Sequence, residues 1–182
     1  MRIDFSTNQP IVSNILVFLH KNHAMVTTRI HMKEYLKEYL VGKYNDGVDG
    51  PLRIPPSSDL YELCYNLVSK RPVSAGTDSG NVELVLRNRT SCKDPRVYNW
   101  FCARHQQMIE RKVKLQMRAE FHDFVDLHHH RYGMTYVDAI AEFMNRFGIV
   151  SLSEETLVKD YQRYRNRVRP HEKRDYKKCN DK

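Results

Sequence analysis

From Val26 the side chains alternate, with Val26, Thr28, Ile30 and Met32 on one side and Thr27, Arg29 and His31 on the other. A period of two is the signature of a strand with one buried face. At Lys33 the period lengthens, and Tyr35, Leu36, Tyr39 and Leu40 form a helical stripe. Turn-forming residues at Asn45-Asp46-Gly47, Gly50-Pro51 and Pro55-Pro56 close that segment. A second helix follows, capped by Ser58 or Asp59, with Leu60, Leu63, Cys64, Leu67 and Val68 on one face, and it ends before Pro72. Beyond a loop at 74–80, Val82, Leu84 and Leu86 alternate again. The two strands are of like length, and a lone strand would leave its backbone groups unpaired, so they are expected to form a small sheet on the helices.

Asp94-Pro95 reads as an N-cap followed by proline at the first helical position. From there to about Leu127, Val97, Phe101, Met108, Ile109, Val113, Met117, Phe121, Phe124 and Val125 keep helical spacing with no Gly or Pro between them. At a rise of 1.5 Å per residue this predicts a helix of about 50 Å, with Arg111-Lys112 as the point where it could break. Thr135 and Asp138 stand in capping-box positions before a helix that carries Val137, Ile140, Phe143, Met144 and Phe147 on one face and stops at Gly148. Ser153 is placed to cap a last helix, with Leu152 and Leu157 as a hydrophobic staple. In that helix Leu157, Tyr161, Tyr164 and Val168 form a core stripe, and Lys159, Gln162, Arg163, Asn166 and Arg167 fall opposite.

These elements predict an α+β, mainly α protein with a long central helix, a small two-stranded antiparallel sheet and a C-terminal helix-turn-helix-like unit. The expected organisation is an N-terminal helical extension over 1–24, a strand-helix-helix-strand segment over 25–90, the long helix and helix-turn-helix-like unit over 91–170, and a basic tail over 171–182. A chain of 182 residues, 41% hydrophobic and 29% charged, can bury a core without disulfide or metal staples. The apolar run near Ile11–Leu19 is too short and too interrupted for a membrane span. It reads better as a short amphipathic helix started by Pro10 than as a secretion signal. Four scattered cysteines without a CxxC fit reduced thiols, hence a cytoplasmic protein with no membrane partner.

Charge changes the picture at one end only. Lys and Arg outnumber Asp and Glu by 30 to 22, and from Arg163 onward nine cations face only Glu172, Asp175 and Asp181. A local field of one sign attracts polyanions where a mixed surface does not. A helix, a turn and a second helix with an outward row of Lys, Gln, Arg and Asn suit insertion into the major groove, where such side chains pair with base edges. On this reading Lys159, Gln162, Arg163, Asn166 and Arg167 face bases, while Arg165, Arg169, Lys173, Arg174, Lys177 and Lys178 neutralise phosphates. DNA is the expected partner, and RNA the alternative nucleic acid. A helical hairpin with a merely solvated polar face has the same pattern.

Other chemistry is less complete. His122, Asp126 and His130 share a helix face at i, i+4 and i+8, a donor set for Zn²⁺ or Ni²⁺, but no Glu-x-x-His or second ligand segment accompanies them. Cys92, Cys102 and His105 likewise lack a fourth ligand. No Walker loop, GxGxxG, HExxH or GxSxG is present, so neither an enzyme nor a cofactor is expected.

Met25-Val-Thr-Thr-Arg-Ile-His-Met, Asp59-Leu-Tyr-Glu-Leu before Lys70-Arg71-Pro72, Asn81-Val-Glu-Leu-Val-Leu, Asp94-Pro-Arg-Val-Tyr-Asn and Glu155-Thr-Leu-Val-Lys-Asp-Tyr-Gln-Arg-Tyr-Arg-Asn occur in that order. Together they resemble a family of small uncharacterised proteins encoded by prophages and integrated elements of gut anaerobes, over about residues 25–170. The resemblance implies mobile-element or phage biology, supplies no site residue, and marks 1–24 as an extension peculiar to this chain. The expected function is a DNA-binding accessory or regulatory protein. The alternative is a structural or assembly protein, such as a virion component, whose long helix makes homo-oligomer contacts and whose tail meets nucleic acid or an acidic partner.

Overall fold

The computed structural model describes residues 26–45, 47–76, 78–86 and 93–170. The expected extension over 1–24, the tail from 171 with Lys173, Arg174, Lys177 and Lys178, and Cys92 lie outside the described residues. The protein is mainly helical, of the α+β class, with a small antiparallel sheet and a long central helix. In chain order the elements are β1 (Val26–Ile30), α1 (Glu34–Tyr44), α2 (Asp59–Leu67), β2 (Ser69–Lys70), β3 (Val82–Leu86), β4 (Tyr98–Trp100), α3 (Ala103–Tyr132), α4 (Tyr136–Phe147) and α5 (Glu154–Val168).

The two alternating segments pair as expected: β1 runs antiparallel to β3, from Val26 opposite Leu86 to Ile30 opposite Val82. Beyond the last rung the Asn81 side chain takes over the ladder, accepting from the Met32 N–H at 3.0 Å and donating to the Met32 carbonyl at 2.8 Å. Leu52 joins the sheet on the other edge of β3, its N–H on the Glu83 carbonyl at 2.7 Å and its carbonyl on the Val85 N–H at 3.0 Å. Ser58 caps α2, accepting from the Tyr61 N–H at 3.2 Å.

Three expectations need correction. The long helix does not begin at Asp94-Pro95. That pair starts a single turn, with the Asp94 carbonyl accepting from Val97 and Tyr98, and Tyr98–Trp100 then extend to pair with Ser69–Lys70 as a second small sheet. Aromatic residues favour a pleated surface, and this pairing outcompetes continuation of the turn. The helix starts at Ala103, after the buried Phe101, and runs unbroken past Arg111-Lys112 for 30 residues, about 45 Å long. Val137 and Val168, both placed on core stripes, are instead 52% and 57% exposed. Finally, Ser153 sits at the N-cap of α5 but makes no capping bond to the backbone; its hydroxyl meets that of Thr156 at 2.8 Å.

The core is one cluster. Ile109, Val113, Met117, Phe121 and Val125 of α3 pack against Leu36, Tyr39 and Leu40 of α1, Leu60 and Cys64 of α2, Ile140 and Phe143 of α4, and Leu157 and Tyr161 of α5. Each such side chain, fully buried, contributes about 1.5–3 kcal/mol relative to exposure. Gly42 lets α1 approach the end of α4: a Cβ there would collide with the Phe147 backbone, its Cα only 2.7 Å away. No helix among the described residues is long and apolar enough to cross a membrane.

Candidate nucleic-acid interface

The C-terminal unit is held by local caps and by one residue far away in sequence. Thr135 caps α4, accepting from the Asp138 N–H at 3.2 Å and donating to the Asp138 carboxylate at 2.6 Å. Ile140 and Phe143 are fully buried, with the Phe143 ring edge-on to Phe121 at 5.1 Å. Gly148 ends α4 at φ 62°, the left-handed conformation that glycine adopts without steric penalty. The turn is then clamped by Glu38 of α1. One of its carboxylate oxygens accepts from the Val150 N–H at 2.9 Å, the Ser151 N–H at 3.0 Å and the Ser151 hydroxyl at 2.9 Å. Nothing in the sequence pattern distinguishes Glu38 from the other charges on α1.

The inner side of α5 is pinned to α3 by a polar seam. Asp160 accepts from the Arg118 guanidinium twice, once at 3.1 Å from Nε and again from Nη2, and meets His122 Nε2 at 3.2 Å. Tyr164 stacks on the His122 ring at 4.0 Å, and the Tyr161 hydroxyl donates to Asp126. Burial, and then the positive charge of Arg118, push the His122 pKa below its ordinary value. Asp160 already binds Arg118, which leaves it little capacity to hold an imidazolium. Burial also raises the Tyr161 pKa, helped by its bond to Asp126, so the phenol stays protonated as the donor.

The outer side carries the candidate base-reading residues. Lys159, Gln162, Arg163, Asn166 and Arg167 are all exposed, as is Arg169 just past the helix end. Lys159 lies 3.7 Å from Glu155 one turn back, a surface pair that competes weakly with any incoming anion. Arg163, Arg167 and Arg169 have no carboxylate partner among the described residues. Arg165 is different. It is half-buried with its guanidinium 4.6 Å above the Tyr136 ring, so it ties α5 to α4 and is withdrawn from the phosphate-binding set. Because Glu154 and Glu155 occupy the first turn, the cationic end of α5 is its C-terminal half.

The structure divides the candidate metal ligands. His122 faces Asp160, Asp126 takes the Tyr161 hydroxyl, and His130 is exposed. Among the described residues no group of three or more His, Cys, Asp or Glu is arranged to hold a metal ion. Cys64 is buried on the inner face of α2, which pushes its thiol up to about 12, far from a reactive thiolate at neutral pH. No family model, curated protein or solved structure matches this chain.

Proposed function

We propose that this chain binds duplex DNA through the outer face of α5, as an accessory or regulatory protein of a mobile element or phage. One observation carries the reading: on a single helix Asp160, Tyr161 and Tyr164 turn inward to α3, while Gln162, Arg163, Asn166 and Arg167 stand exposed as one row. That row contains the side chains that pair with guanine and adenine edges in the major groove. From Lys159 to Arg169 five cations stand against Asp160 alone, and Asp160 is already neutralised by Arg118. B-form DNA fits better than double-stranded RNA, whose deep, narrow major groove does not admit a helix. The mobile-element setting rests on the resemblance of the segments around Asp59, Asn81, Asp94 and Glu155.

In this account Lys159, Arg163 and Arg167 read bases, Gln162 and Asn166 add adenine-type contacts, and Arg169 holds the backbone. Sequencing DNA selected by the protein from a random duplex pool, then measuring affinity by fluorescence anisotropy, tests it. Arg163→Ala and Arg167→Ala should each weaken the selected site by about 1–3 kcal/mol and relax its sequence at one position. An affinity unchanged in both variants assigns the row to solvent.

A further inference from the structure

The long helix is bare along half its length. Arg104, Gln107, Met108, Arg111, Lys114, Leu115 and Arg118 recur at helical spacing and therefore share one face of α3. All seven are exposed, and Ile109, Val113 and Met117 on the opposite side are buried. This face holds four cations and no carboxylate. Among the described residues Asp160 of α5 is the one carboxylate that forms an ion pair with this face, binding Arg118 at the end of the row, and Arg104, Arg111 and Lys114 have no ion-pair partner.

The bare face continues the α5 surface. Asp160 of α5 binds Arg118, the last residue of the α3 row, and Arg163 and Arg167 follow Asp160 at i+3 and i+7, on its side of α5.

We propose that the Arg104–Arg111–Lys114 face of α3 is a second binding surface, for the sugar-phosphate backbone of the same DNA duplex that α5 engages. It rests on the α5 reading and extends it. From Arg104 to Lys114 the helix rises about 15 Å. That matches about four nucleotides at 3.4 Å per nucleotide along a strand, enough for the three cations to meet different phosphates. Gln107 adds a donor, and Met108 and Leu115, 42% and 60% exposed, lie between the cations where sugar edges would pass. A second copy of the chain fits less well, because an isologous contact would set this row of cations against itself.

Anisotropy titrations of the full chain against a labelled random-sequence duplex, over a series of salt concentrations, test the proposal. Each phosphate contact contributes about 0.9 to the slope of log K against log salt, so Arg104→Gln with Arg111→Gln should make it shallower by about 1.8. The charge-retaining pair Arg104→Lys with Arg111→Lys should keep the wild-type slope, and Arg131→Gln with Arg146→Gln, an equal loss of charge elsewhere, should leave it unchanged. If the Arg104/Arg111 and Arg131/Arg146 pairs behave alike while Arg163→Ala and Arg167→Ala still weaken binding, the α3 surface is wrong and the α5 reading stands. If the wild-type chain does not bind the duplex, both fall. A concentration-dependent dimer in sedimentation, dissolved by Leu115→Lys, assigns the face to a second copy and overturns the proposal.

Discussion

Glu38 is a surface residue of α1 by its sequence position, yet it accepts three hydrogen bonds from the turn that joins α4 to α5. Replacing it with alanine removes a charged acceptor from two backbone N–H groups and one hydroxyl. A hydrogen bond to a charged group contributes about 1.5–3 kcal/mol, but Val150 and Ser151 are exposed, and water replaces much of what is lost. The three contacts, sharing one oxygen, then sum to about 2 kcal/mol. In a domain of this size that lowers Tm by about 4–8 °C. Urea denaturation of Glu38→Ala, Ser151→Ala and the double variant checks the cause. Ser151→Ala should cost about 0.5–1.5 kcal/mol in the wild-type background and almost nothing once Glu38 is gone. Equal costs in the two backgrounds, or a Glu38→Ala change within about 0.3 kcal/mol, would refute the clamp.

Two further stability outcomes follow from close packing and from titration. Gly42→Ala should destabilise by about 1–3 kcal/mol in the same assay, because the added methyl meets the Phe147 backbone, which cannot rotate away. His122 has a pKa below its ordinary 6.5 because burial and Arg118 disfavour its charged form. Below that ordinary value the unfolded chain takes up a proton that the folded chain refuses. The stability that His122 contributes is thus full above about pH 6.5 and declines as the pH falls toward the lowered folded value. Charged and titratable groups facing it are Asp160, Arg118, Asp126, Asp123, Arg167, Tyr161 and Tyr164. Tm profiles from pH 7.5 to 5 should fall less steeply for His122→Gln than for wild type, and parallel profiles would count against it.

What the sequence reveals and conceals follows from the range of the interactions. The alternation at Val26–Ile30 and Val82–Leu86 is visible because burial of one face imposes a period of two, and the register then follows from matching buried positions. The Thr135–Asp138 cap and the Gly148 stop are legible because each is decided within one turn of chain. Asp94-Pro95 misleads for the same reason: its local signal is real for one turn, but Tyr98–Trp100 pair with Ser69–Lys70, some thirty residues earlier. Val168 continues the stripe of Leu157 and Tyr161 in spacing, but it stands in the last turn of α5 and is 57% exposed where they are buried. Arg165 counts as a cation in any composition argument, and only the placement of Tyr136 turns it into a packing residue. Glu38 has no periodic signal at all, since its role depends on where α4 ends.

The central claim is electrostatic, and the salt dependence of binding tests it most directly. After Arg165 is withdrawn, the cations assigned to phosphates beyond α5 are Arg169, Lys173, Arg174, Lys177 and Lys178. If each displaces a condensed counterion, log K of the full chain for duplex DNA should fall against log salt with a slope of about −4.5, and more steeply if α3 also takes part. A flat response, or no binding even at low salt, would contradict the account.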